Sequence, residues 1–193
     1  MDDPAEDLRA RLAQRYREPH RRYHDLRHLH EVLQTVEDLA DEAGDIEAVR
    51  WAAWFHDAVY DVRRDDNEER SAELAEKELA ALGLDAAMVA EVGRLVRLTA
   101  THDPDPGDAN GAVLCDADLR ILATDPWRLA EYVVDVRAEY GHVGEDDFRA
   151  GRAAVLRALL SADRLYRTQA GHARWEDRAR ANLTAELHRL SAV

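Results

Sequence analysis

The chain has 193 residues, of which 46% are hydrophobic, and 40 acidic against 26 basic side chains give it a formal charge of −14. That length suits a single domain over residues 1–193, and with only nine glycines and five prolines the composition excludes collagen-like, low-complexity and disordered chains. The negative charge repels nucleic acid polymers and anionic membranes at long range, although a local arginine cluster can still hold a small phosphorylated ligand.

No apolar run approaches the roughly 18 residues of a membrane span, and MDDPAEDLRARLAQ lacks the basic start and apolar run of a signal peptide. The chain reads as soluble and cytoplasmic. Cys115 is the single cysteine, so neither an internal disulfide nor a CxxC zinc or redox pair is available. Lys77 is the only lysine and lies in a charged helical run, which disfavours Schiff-base chemistry.

Taken in chain order, every element reads as helix. Asp3 caps a first helix with Pro4 at its first position and Leu8 and Leu12 inward, ending before Pro19. A second runs from about Asp25 to Gly44 with Leu29, Val32, Leu33, Val36, Leu39 and Ala40 at helical spacing. Asp45 caps a third, whose inner face reads Ile46, Val49, Ala52, Ala53, His56. Asp66 and Glu69 form a D-x-x-E capping box for a fourth, closed by Gly83, and Asp85 opens a fifth that runs out near His102. After the loop DPDPGDANG a sixth helix carries Val113, Leu114, Ala117, Asp118, Ile121 and Leu122. Asp125 and Pro126 begin a seventh, Asp146 or Asp147 an eighth, and a last one carries Trp175, Ala179, Leu183, Leu187 and Leu190. The expectation is an all-α bundle of about nine helices.

Some polar residues break this pattern. His56 and Asp57 end an otherwise apolar helix, WAAWFHDAVYD, where two ionisable groups are costly unless a cation compensates them. In RRYHDLRHLHEVL, His24 and His28 share a face at i, i+4, and His28 aligns with Val32, whereas His30 is rotated to the surface. In VLCDADLRIL, Asp118 lies at i+4 from Leu114 and i−3 from Ile121 and so points inward; Asp116 is rotated away and reads as solvated. His20, His142, His172 and His188 sit in polar surroundings and are read as solvated. Four inward candidates from three helices result: His28, His56, Asp57 and Asp118.

The order H…HD…D resembles the HD superfamily of metal-dependent phosphohydrolases. RRYHDLRHLHEVL, AAWFHDAVYD, DNEERSAELA, LTATHD and CDADLRIL, with EYVVDVRAEYGHV and DDFRAGRAAVL further on, are similar to a bacterial family of predicted HD-type phosphohydrolases. The resemblance implies that His28, His56, Asp57 and Asp118 ligate a metal.

Mixed nitrogen and oxygen ligands suit one divalent ion of Mn, Co, Ni, Fe or Zn with open positions for water. Asp57 and Asp61 are the candidates to orient or deprotonate that water. His102, His24, Arg27 and Arg120 are the candidates to contact substrate, while Arg137, Arg149 and Arg152 lie on later helices that could close the pocket. The expected activity is hydrolysis of a phosphate mono- or diester of a small molecule such as a nucleotide. A second metal, with di-iron oxygenase chemistry, is one alternative. A non-catalytic module in which metal staples the helices and a ligand is sensed is the other.

Overall fold

The computed structural model describes residues 3–191, and among these it holds nine α-helices and no strand. They are α1 (Pro4–Arg15), α2 (Leu26–Asp38), α3 (Ile46–Phe55), α4 (Asn67–Ala81), α5 (Ala86–Leu98), α6 (Ala109–Asp118), α7 (Pro126–Glu139), α8 (Glu145–Ser161) and α9 (Gln169–Ser191). Two 3-10 turns, Ala40–Glu42 and Leu119–Ala123, follow α2 and α6. None of the described helices is long and apolar enough to cross a membrane.

Aspartate capping defines most of the helix starts. The carboxylates of Asp3, Asp25, Asp45, Asp85 and Asp125 each accept first-turn N–H groups, satisfying donors that a helix otherwise leaves open. The capping box expected at α4 does not form. Asp66 makes no side-chain cap, because Arg64 takes both its oxygens, and Glu69 pairs instead with Arg97 on α5. Gly144, rather than Asp146 or Asp147, stands before α8, whose first turn is Glu145, Asp146 and Asp147. The sixth helix is shorter than its apolar periodicity suggests, since the chain tightens to 3-10 geometry directly after Asp118.

α3 is the central element, in contact with α1, α2, α4, α5 and α6. Its Ala48, Val49, Trp51, Ala52, Ala53 and Phe55 are all buried, and the three alanines let neighbouring helices approach closely. Because the helix is wrapped on most sides, the His-Asp pair at its end is delivered to the interior. The apolar cluster continues from α3 through Leu95, Val96, Val113 and Leu114 to Trp175, Ala179 and Leu183 on α9.

Candidate metal centre

His56 is the C-cap of α3, and its Nδ1–H donates to the Ala53 carbonyl at 2.8 Å. That bond fixes the tautomer and leaves Nε2 free to bind. His28, one turn into α2 and 1% exposed, brings its Nε2 to 3.0 Å from the His56 Nε2. Asp57 Oδ2 lies 3.4 Å from His28 Nε2 and 3.1 Å from His56 Nε2. Asp118 Oδ1 lies 3.2 Å from His28 Nε2 and 3.9 Å from His56 Nε2. The ligand atoms of His28, His56 and Asp118 all fall within 4.8 Å of one another.

Two imidazole nitrogens facing each other beside two carboxylates form a donor set that suits a divalent first-row ion. Both histidines are buried, while the Asp57 and Asp118 side chains keep 15% and 16% exposure, so the centre opens on the carboxylate side. Burial opposes the His28 imidazolium, but hydrogen bonds to Asp118 and Asp57 carry its pKa up to about 10. For Asp57 burial is outweighed by His56 and His24, and for Asp118 by His102 and His28, so both carboxyls stay well below their usual range. This balance provides anionic oxygens at the centre.

His102 ends the segment after α5 with φ 52, the sole non-glycine residue at positive φ among the described residues, and its Nε2 lies 2.7 Å from Asp118 Oδ2. The carboxylate of Asp118 thus faces the histidine pair with one oxygen and His102 with the other. A cavity of about 250 Å³ opens here, lined by His24, Asp57, Tyr60, Glu68, His102 and Asp118 among others.

His24 precedes α2 and is not part of it, yet its ring stands edge-on to His28 with centroids 5.7 Å apart. Two residues absent from the sequence reading position it. Glu139, at the end of α7, accepts from the backbone N–H groups of Arg22, Tyr23 and His24 at 2.7, 2.9 and 3.0 Å. Its other oxygen meets His24 Nδ1 and the Tyr60 hydroxyl, each at 2.7 Å. Arg21, with its side chain fully buried, donates to the carbonyls of His24 and Asp57 at 3.0 and 2.8 Å, joining the segment before α2 to the loop after α3. Tyr16 adds a third tie: its hydroxyl donates to the Trp54 carbonyl and accepts from the Asp57 N–H.

Other expected site residues lie elsewhere. Asp61 is in an exposed turn whose carboxylate accepts the Arg63 N–H, and it lines a neighbouring cleft, not the metal cavity. Arg27 pairs on the surface with Glu31 and Glu131. Arg120 stacks on Trp175 and reaches a separate cavity of about 210 Å³ between α2 and the 3-10 turn after α6, on which His28 and Asp118 also border. Arg137 binds Glu145, Arg149 the Leu190 carbonyl, and Arg152 both Glu186 and the Tyr132 hydroxyl, so none of the three closes the cavity. Asp116 is fully buried, where a solvated side chain was expected. It accepts from the N–H groups of Arg167 and Thr168 and from the Thr168 hydroxyl, fastening α6 to the start of α9.

Residues 25–120 match the family model of the HD domain. No curated protein and no solved structure matches the chain. The matched stretch contains His28, His56, Asp57 and Asp118, and this HD domain is consistent with the HD superfamily of metal-dependent phosphohydrolases.

Proposed function

We propose that the protein hydrolyses a phosphate ester of a small molecule, a nucleotide being one such substrate, at the centre formed by His28, His56, Asp57 and Asp118. The observation that carries this reading is the convergence of two buried imidazoles and two carboxylates from α2, the end of α3 and α6, with both carboxylates bordering an open cavity. A divalent ion held there supplies Lewis acidity and lowers the pKa of water toward neutrality. His28, His56 and Asp118 are the residues that would hold it. Asp57 Oδ2 is the carboxylate placed to fix the ion and to accept a proton from attacking water.

His24 and His102 stand on the walls of the cavity, and since each gives one ring N–H to a carboxylate, each donates to a phosphoryl or leaving oxygen only when its ring carries both protons. Glu139 holds the His24 ring with Nδ1 turned inward, which directs Nε2 away from the clamp. Tyr60 and Tyr140 supply the less polar wall against which a leaving group rests.

A second reading follows from Asp118, whose two oxygens face different histidines, as a carboxylate between two ions would. A binuclear centre, and with it iron oxygenase chemistry, is the alternative. Metal content and hydrolysis of a phosphate-ester and nucleotide panel, with added manganese, cobalt or nickel, test both for wild type and Asp57→Ala. Hydrolysis that disappears in the variant is expected. Two irons per chain with a visible absorption band and no ester turnover would favour the alternative.

A further inference from the structure

We infer that the protein holds a second anionic group of its substrate in an arginine-lined cleft beside the metal cavity, and so selects phosphate esters carrying two separated negative groups. This rests on the proposed hydrolase site only for the position of the first group. The cleft measures about 650 Å³ and shares Tyr60 and Val62 with the metal cavity, so these two residues form the partition. Arg15, Arg22 and Arg63 line it together with His20 and His142.

None of these three guanidinium groups makes an ion pair among the described residues, whereas the acids beside them are engaged. Glu18 binds the buried Arg21 at 3.1 Å, Asp61 accepts the Arg63 N–H at 3.0 Å, and Glu139 is occupied by the His24 ring, the Tyr60 hydroxyl and three backbone N–H groups. The three arginines and the three carboxylates of the lining balance formally, so in a chain of charge −14 the cleft is far less negative than the rest of the molecule, and its guanidinium groups are the ones left without an ion-pair partner. Planar guanidinium groups match phosphoryl and carboxylate oxygens in particular.

The partition is ordered. The His20 ring lies parallel to Tyr60 at 6.5 Å with an interplanar angle of 5°, and Tyr60 stacks on His24 at 4.3 Å. His20 Nε2–H also donates to the Tyr60 carbonyl at 2.9 Å. His20 borders the cleft and His24 the metal cavity, so one aromatic layer separates the two anion positions. A substrate with a flat spacer between its two anionic groups matches that separation.

The test uses phenylphosphonate, para-carboxyphenylphosphonate and para-phenylene bisphosphonate, whose C–P bonds resist hydrolysis, titrated calorimetrically into protein as purified and after manganese loading. Wild type is expected to bind at least one of the two bis-anionic ligands about tenfold or more tightly than phenylphosphonate, and Arg22→Ala/Arg63→Ala to lose that preference. Alanine at 22 keeps the backbone N–H bonded to Glu139, and Arg157→Ala on exposed α8 is the control for a mere loss of charge. Which bis-anionic ligand binds better assigns the cleft to phosphoryl or to carboxylate. Equal binding of all three ligands by wild type, or a preference retained in the double variant, overturns the inference. Turnover of the matching phosphate esters separates the two claims: preferential binding without turnover supports the cleft and overturns the hydrolase reading, and turnover without preference does the reverse.

Discussion

Glu139 gives the most direct check on how the site is built. Burial alone would raise the pKa of this carboxyl, but the His24 ring, the Arg22 N–H and the Tyr60 hydroxyl bring it from an ordinary 4.5 to about 2. A shift of that size corresponds to about 3 kcal/mol of stability at neutral pH. Because the folded-state value is the lower one, the contribution is complete above about pH 4.5 and is lost as pH falls toward about 2. Glu139→Ala leaves three backbone N–H groups without their acceptor and is expected to cost about 3 kcal/mol or more, lowering Tm by roughly 6–12 °C. Glu139→Gln keeps one oxygen for those N–H groups and should fall between alanine and wild type at pH 7. It should also lose the part of the acid-induced decline that Glu139 causes. Thermal unfolding followed by circular dichroism, in chelator so that bound metal does not contribute, from pH 7 to pH 3, reads both quantities. An alanine variant that melts within a degree or so of wild type, or a glutamine variant whose decline with acid parallels wild type, would show that this carboxylate is not the clamp its contacts imply.

Further outcomes are expected. His102→Ala removes the hydrogen bond that orients Asp118 and should weaken metal affinity by about 10- to 100-fold, measured by competition with a chromophoric chelator. Metal at about 100 times its dissociation constant should stabilise wild type by about 2.7 kcal/mol over chelated protein and leave His56→Ala unmoved in the same melting assay. Gly171→Ala would press a Cβ against Asp116 Oδ2 and the Thr168 hydroxyl, and the resulting overpacking should cost about 1–3 kcal/mol in urea unfolding.

Elements whose cues are local were legible in the sequence. The aspartates at the helix starts and the apolar spacing of α2 and α3 could be read because each signal lies within one or two turns of chain. The inward rotation of His28 and Asp118 follows from the same periodicity. The D-x-x-E box at α4 failed because Arg64, two residues before Asp66, offers the carboxylate a charged partner that the pattern ignores. Asp116 was misread because helical phase tells which face a side chain occupies and not whether another helix covers that face; the start of α9 does. Glu139 was missed because its partners lie 79 to 117 residues away in sequence, and Arg21 because the Asp57 carbonyl it ties to the segment before α2 is 36 residues distant. The only hint was Glu139 at i+3 from Val136, a carboxylate on the buried edge of α7.

The segment matched by the family model ends at residue 120 and begins at residue 25, one position after His24. Glu139 and Tyr140, which shape the cavity wall, and Arg15, Arg22 and His20 of the cleft all fall outside it. The four candidate ligands therefore lie within the matched stretch, whereas the cleft and cavity walls draw residues such as Tyr60, Val62, Arg63 and His102 from it and others from outside it. Transplanting residues 25–120 into another helical scaffold would move the candidate ligands without Glu139, which holds His24, and without Arg15 and Arg22 of the cleft. Conversely, libraries confined to residues 15–24 and 138–142 could retarget the protein while the metal ligands stay untouched.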